Sequence, residues 1–261
     1  MNENQTGARS VSKHLKTIII AIAAALAALV PSVATAMTVQ PVVLNLSPGG
    51  RTMSQVVTVT NSFAYPLAVE LRVEELALEP TGVRGTGRDP GDLVVFPPTA
   101  MIQPGQTQTF RVQYVGDPAL ARSKHYYVTV AQLPVKMQQG QSAVQVLYNF
   151  QVLVSVAPTG AKPQIGVASA QVERTGDGKT VPAVTFTNPS NAHGYLSNGR
   201  IRIVQKDASG KEVFRREFTA PEVQQAIGYG LIGAGQTRKV TLPLELPSAT
   251  GSVEAQYTPV G

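Results

Sequence analysis

Beyond residue 37 the chain alternates apolar and polar residues with a period of two, in short runs closed by Pro, Gly, Asn or Asp. Leu67, Val69, Leu71 and Val73 alternate with Ala68, Glu70, Arg72 and Glu74, the pattern of a strand with one face on a core and the other in water. Phe110, Val112 and Tyr114 repeat it after the turn at Gln103, Pro104, Gly105 and Gln106. Further strands are predicted at 39–46, 55–60, 93–96, 126–133 and 144–156, and no apolar stripe of helical period outlasts a turn or two. Seven strands in about 115 residues is the size of an immunoglobulin-like sandwich.

A second series follows at 165–172, 184–187, 201–204, 213–218, 240–246 and 253–257. Thr175-Gly176-Asp177-Gly178 and Asp207-Ala208-Ser209-Gly210 are hairpin turn sequences, because glycine supplies the positive φ of tight hairpins. Between the two series, residues 158–163 carry two prolines and read as a stiff linker. Two echoes suggest duplication of one domain type. Val59-Thr60-Asn61 matches Phe186-Thr187-Asn188, and Ile102-Gln103-Pro104-Gly105-Gln106-Thr107 matches Ile232-Gly233-Ala234-Gly235-Gln236-Thr237. The expectation is an all-β chain of two immunoglobulin-like sandwiches in tandem, 37–157 and 164–261.

The longest alternation runs from Val144 to Val156, where Val144, Val146, Tyr148, Phe150, Val152, Val154 and Val156 hold every even position. At roughly 3.3 Å per residue this is a strand of about 43 Å, longer than one sandwich needs. It fits either a long hairpin packed on its own partner or an edge strand offered to another polypeptide.

Residues 1–36 read as a cleavable signal peptide. Arg9, Lys13 and Lys16 precede the apolar run 18–30, and Ala34-Thr35-Ala36 supplies the small residues of a cleavage site. The run is short for a membrane span. Its removal leaves 19 basic against 15 acidic residues, scattered with no run longer than a pair, which argues against a nucleic-acid footprint. Apolar residues make up 43% and cysteine is absent, so the chain can bury a core without disulfides, and thiol catalysis and zinc-finger or iron–sulfur frameworks are excluded. An exported chain without cysteine fits the bacterial periplasm.

Candidate chemistry is sparse. His125 and His193 stand apart from any metal-ligand spacing and are read as structural. Gly228-Tyr229-Gly230-Leu231-Ile232-Gly233 matches a dinucleotide fingerprint but leads into turn and strand rather than helix, so it is read as a flexible loop. Asp177-Gly178 lacks the spaced ligands of a calcium loop. No enzyme activity, metal, cofactor or small-molecule substrate is expected.

The first domain resembles the periplasmic PapD-like pilus-assembly chaperones. The resemblance rests on Val57-Thr58-Val59-Thr60-Asn61 with Tyr65-Pro66, Val95-Phe96-Pro97-Pro98, the run from Ile102 through Gly105 to Val112, Tyr126-Tyr127, Gln132-Leu133-Pro134-Val135, and the alternating strand ending at Val156-Ala157-Pro158. It implies donor-strand complementation: the chaperone lends a strand to an incomplete pilin and delivers it to an outer-membrane usher. Val144, Val146, Tyr148, Phe150 and Val152 are then the donor-strand positions, and the free chaperone is a candidate for a self-capping dimer. Family members grip the pilin carboxylate with a basic pair, but Val42-Val43-Leu44-Asn45 and Gln151-Val152-Leu153 hold no Lys or Arg. That departure resembles the archaic, sigma-type branch and leaves Lys124 and Arg122 as candidate anchors, with Arg111, Pro97 and Pro98 as candidate usher contacts. A secreted pilus or adhesin subunit is the alternative reading; it would carry a donor extension and lack its last strand.

Overall fold

The computed structural model describes residues 36–134 and 146–260. Residues 1–35 of the predicted signal peptide and Val144 lie outside them.

Ten strands build the first sandwich: β1 (Met37–Gln40), β2 (Val43–Leu46), β3 (Ser54–Asn61), β4 (Leu67–Glu79), β5 (Gly82–Gly85), β6 (Leu93–Phe96), β7 (Thr99–Ile102), β8 (Thr107–Tyr114), β9 (Lys124–Gln132) and β10 (Asn149–Val156). One sheet has the order β1-β3-β8-β6; the other has β2-β10-β9-β4-β5, with β7 also on β4. The alternating residues meet between them. Val57 and Val59, Phe110 and Val112, Leu67 and Val69, Val128 and Val130, and Val152, Val154 and Val156 are all buried in one core. The predicted strand 39–46 is two strands, because the chain crosses from one sheet to the other at Pro41: β1 pairs with β3, whereas β2 runs parallel to β10.

The second sandwich comprises β11 (Gly166–Arg174), β12 (Thr180–Thr187), β13 (Gly194–Tyr195), β14 (Gly199–Lys206), β15 (Glu212–Phe218), β16 (Leu231–Ile232), β17 (Thr237–Thr241) and β18 (Ser252–Pro259). Sheets β11-β12-β17 and β15-β14-β18 enclose Val184, Phe186, Ile201, Ile203, Val240 and Leu242. Among the described residues one α-helix, α1 (Ala220–Ile227), departs from the all-strand expectation. Thr219 and Glu222 close a capping box at its start, which satisfies backbone donors that a two-turn helix otherwise leaves bare. The glycine motif 228–233 follows directly; Leu231 and Ile232 form β16, paired with β13. The loop reading thus gives way to a short ladder.

The two sequence echoes have one physical cause. Asn61 is fully buried; its Nδ2 donates to the carbonyls of Tyr65 and Ile102, each at 2.9 Å, and its Oδ1 accepts from Phe63 N. Asn188, also fully buried, donates to Ala192 O at 2.7 Å and Ile232 O at 3.3 Å. In each domain the backbone N–H of this Asn also donates to the Gln of the following turn, Gln106 O or Gln236 O, at 2.9 Å. The turn needs glycine, with φ of 71° at Gly105 and 67° at Gly235. Asparagine and turn therefore form one unit, used twice.

The sandwiches touch through complementary groups. Gln236 Nε2 donates to Glu79 O at 3.0 Å, Lys239 N to Pro80 O at 2.9 Å and Ser123 N to Asn191 O at 3.0 Å.

Candidate functional site

Strand β10 is paired unequally on its two sides. Against β9 it is matched throughout, from Asn149 opposite Ala131 to Val156 opposite Lys124. On the other side β2 covers only Leu153 to Val156, opposite Val43 to Leu46. The N-terminal chain has already crossed to the other sheet at Pro41, so nothing in the described fold covers the rest. Leu153 N donates to Val42 O, so odd-numbered backbone groups face the β2 side. Asn149 and Gln151 therefore present their N–H and C=O groups at an open edge.

Apolar side chains continue this edge. Val146 is 63% and Tyr148 45% exposed, and Leu147 is exposed beside them. These three residues precede β10 rather than lying in a strand, and the strand begins only at Asn149. Tyr148 stacks on Phe63, which stacks in turn on Tyr65. Phe150 packs against the core from a half-buried position, whereas Val152 is fully buried inside it. Val152 is thus committed to its own domain, because strand parity turns it inward with Val154 and Val156.

The candidate anchor Lys124 opens β9 and is already engaged. Its Nζ donates to Asp92 Oδ2 at 2.8 Å, and Tyr126 donates to the same oxygen at 2.6 Å. Burial opposes the charge on Asp92, but these two hydrogen bonds hold its carboxyl below the usual carboxylate range. The Asp92 bond raises the Lys124 ammonium in turn. Arg122 is exposed and lies over Gly235 of the second sandwich. Arg238, which nothing in the sequence singles out, is half-buried at the interface. Its Nη1 donates to Leu231 O at 2.6 Å, and its buried Nε has no partner among the described residues.

Arg111 stands elsewhere, on the outer face of the opposite sheet. Its register partners are Val56 and Phe96, and Phe96 is 68% exposed. Pro97 and Pro98 follow Phe96, with Pro98 O accepting from Leu71 N at 2.9 Å. The structure therefore separates three regions: the open edge of β10, the cationic groups near the start of β9 and the domain interface, and an apolar surface around Arg111. Among the described residues there is no cluster of three or more metal-ligating side chains, and no helix long and apolar enough to cross a membrane.

Residues 36–162 match the family described as pili and flagellar-assembly chaperone, PapD N-terminal domain. Solved structures share the two-sandwich fold at low identity. The Class 5 fimbriae chaperone CfaA has a TM-score of 0.51 at 12% identity, covering 86% of this chain and 100% of its own. The CsuC-CsuE chaperone-tip adhesion subunit pre-assembly complex from archaic chaperone-usher Csu pili of Acinetobacter baumannii has a TM-score of 0.50 at 12% identity, covering 85% and 97%. The Salmonella enterica SafA pilin in complex with the SafB chaperone has a TM-score of 0.50 at 13% identity, covering 88% and 99%. No curated protein matches the sequence. At such identities the structures speak for the fold, and it is the first domain, through residues 36–162, that matches the PapD-type pili and flagellar-assembly chaperones.

Proposed function

We propose that this chaperone captures pilin subunits by adding its β10 edge to their unfinished sheet. The observation that carries the reading is the open edge from Asn149 to Val152, continued by exposed Val146 and Tyr148. Main-chain groups of Asn149 and Gln151 supply hydrogen bonds, and alternate side chains supply the apolar fit. Val144, Val146, Tyr148 and Phe150 are the donor positions, and Val152 is left out because it already fills its own core. Burying four such side chains stabilises the complex by about 1.5–3 kcal/mol each before association costs.

The same reading places the chain in the periplasm, exported by a signal peptide in residues 1–36, with 37–157 as the strand-lending domain. Its role is binding and delivery rather than catalysis. Arg111, Pro97 and Pro98, with exposed Phe96 beside them, form the surface assigned to the outer-membrane usher. For the pilin carboxylate, Arg122 is a better candidate than Lys124, whose charge is held by Asp92. The missing basic pair on β2 and β10 supports placement in the archaic branch. A secreted pilin is disfavoured by the family that the first domain matches.

Co-expression with a pilin encoded nearby tests the proposal. With the wild-type chain, pilin is recovered from the periplasm as a complex; with Val146→Asp and Tyr148→Asp together it is degraded or aggregates. Unchanged recovery with the double variant would overturn the donor-strand assignment.

A further inference from the structure

Two of the three histidines in the sequence meet across the domain interface. His125 comes from β9 of the first sandwich and His193 from the segment before β13 of the second, and both are buried. Their ring centroids lie 5.2 Å apart with the planes at 89°. Around them runs a network of uncharged groups. His193 N donates to Ser123 Oγ at 2.9 Å, and its Nδ1 lies 3.0 Å from the same hydroxyl. His193 Nε2 lies 3.1 Å from Asn45 Oδ1. Tyr195 Oη is 3.0 Å from both Asn45 Oδ1 and Ser155 Oγ, and Ser155 Oγ is 2.9 Å from His125 Nδ1.

Proton counting fixes one consistent arrangement. Asn45 Oδ1 can only accept, so His193 carries its proton on Nε2 and its Nδ1 accepts from Ser123. His125 Nε2 is sealed from solvent and has no partner among the described residues, so its proton sits on Nδ1 and points at Ser155. Both rings are then neutral. A further proton on His125 Nε2 would be an N–H with no acceptor, in a dry site beside a second imidazole.

Among the described residues no carboxylate hydrogen-bonds to either ring; Glu74 of β4, opposite Tyr127 on the same face, accepts from Gly87 N at 2.6 Å instead. From β9, Lys124 and Tyr126 turn to the opposite face, toward Asp92. β10 and β2 contribute Ser155 and Asn45, and the second sandwich contributes Tyr195, with Tyr229 edge-on behind it. Burial, and then His193, push His125 down to about 3; burial alone pushes His193 down to about 4.

We propose that His125 and His193 form a proton-operated latch between the two sandwiches: neutral, they close the interface, and protonated, they open it without unfolding either domain. The other hydrogen bonds between the sandwiches, Gln236 Nε2 to Glu79 O, Lys239 N to Pro80 O, Ser123 N to Asn191 O and Asn191 Nδ2 to Ala121 O, contain no group that takes up a proton in that range. The latch is independent of what the open edge of β10 binds. Because both histidines bind protons more weakly when closed, closure is fully favoured above pH about 6.5 and is lost as pH falls toward 4. Between pH 7 and 4.5 the closing equilibrium falls on the order of 50-fold for each histidine.

Small-angle scattering and far-ultraviolet circular dichroism of the purified protein, from pH 7 to 4.5, test this. The expected result is a rise in radius of gyration with the β signal retained, absent from the His125→Asn/His193→Gln double variant whatever its starting dimensions. An expansion that coincides with loss of the β signal, no expansion down to pH 4.5, or a double variant that keeps the wild-type transition would each overturn the latch. Proton NMR of the wild-type rings gives a check that needs no variant: histidines from the two domains titrating at the ordinary value near 6.5 while the protein stays compact would also overturn it.

Discussion

Tyr148 stacks on Phe63 with ring centroids 6.2 Å apart and planes inclined by 29°. Phe63 is 7% exposed and belongs to the first core, so the residue just ahead of β10 is held by an aromatic contact to its own domain. Capture of a partner along this edge has to exchange that contact for one with the guest. Tyr148→Ala should destabilise the free chain by only about 0.5–1.5 kcal/mol, the worth of one aromatic pair, while abolishing pilin recovery. Urea denaturation and co-purification measure the two effects separately.

The main chain of β10 can be tested without changing its apolar face. Gln151 N–H points to the open side, so Gln151→Pro removes a donor that the folded domain does not use. Its fold and cooperative unfolding should persist, with pilin affinity reduced at least tenfold in a pull-down titration. Val152→Pro breaks the pairing with β9 and should unfold the domain instead.

Asn61 and Asn188 should behave alike. Asn61→Leu leaves the buried Ile102 carbonyl and Phe63 N–H without their partners, at about 1–3 kcal/mol for each group. A fall of about 2–6 kcal/mol in unfolding free energy is expected, and a comparable one for Asn188→Leu, read from denaturant midpoints.

Asp92 supplies a pH-dependent contribution of the same sign as the histidines, but at lower pH. Its carboxyl is held below the ordinary value near 3.8, so its stabilisation is present above that pH and is lost as pH falls through the lower folded value. Asp92→Asn should therefore cost about 1–3 kcal/mol at pH 7. The gap to wild type should close toward pH 3, in thermal melts across that range.

How much of this was legible in the sequence depended on whether the cause was local. Strand faces were, because Val57, Phe110 and Val128 announce their burial by parity alone. The paired asparagine-and-turn units were too, since each recurs as a short string. The crossing at Pro41 was not, because the alternation in 39–46 runs on through it and the sheet each half joins depends on β3 and β10. The contact of Lys124 with Asp92 spans 32 residues, and the pairing of His125 with His193 requires two domains to meet. The start of α1 was readable from Thr219 and Glu222, but eight residues give too little periodicity to stand out among strands.

The transfer of the N-terminal chain at Pro41 also sets a boundary. Val43 enters beside Leu153 and occupies the ladder from there on, so a guest strand lying along the donor segment can advance no further than Val152 before it meets resident backbone. That junction is a mechanical end-stop: it fixes how far an incoming segment can slide, and so helps choose which of its side chains face the groove.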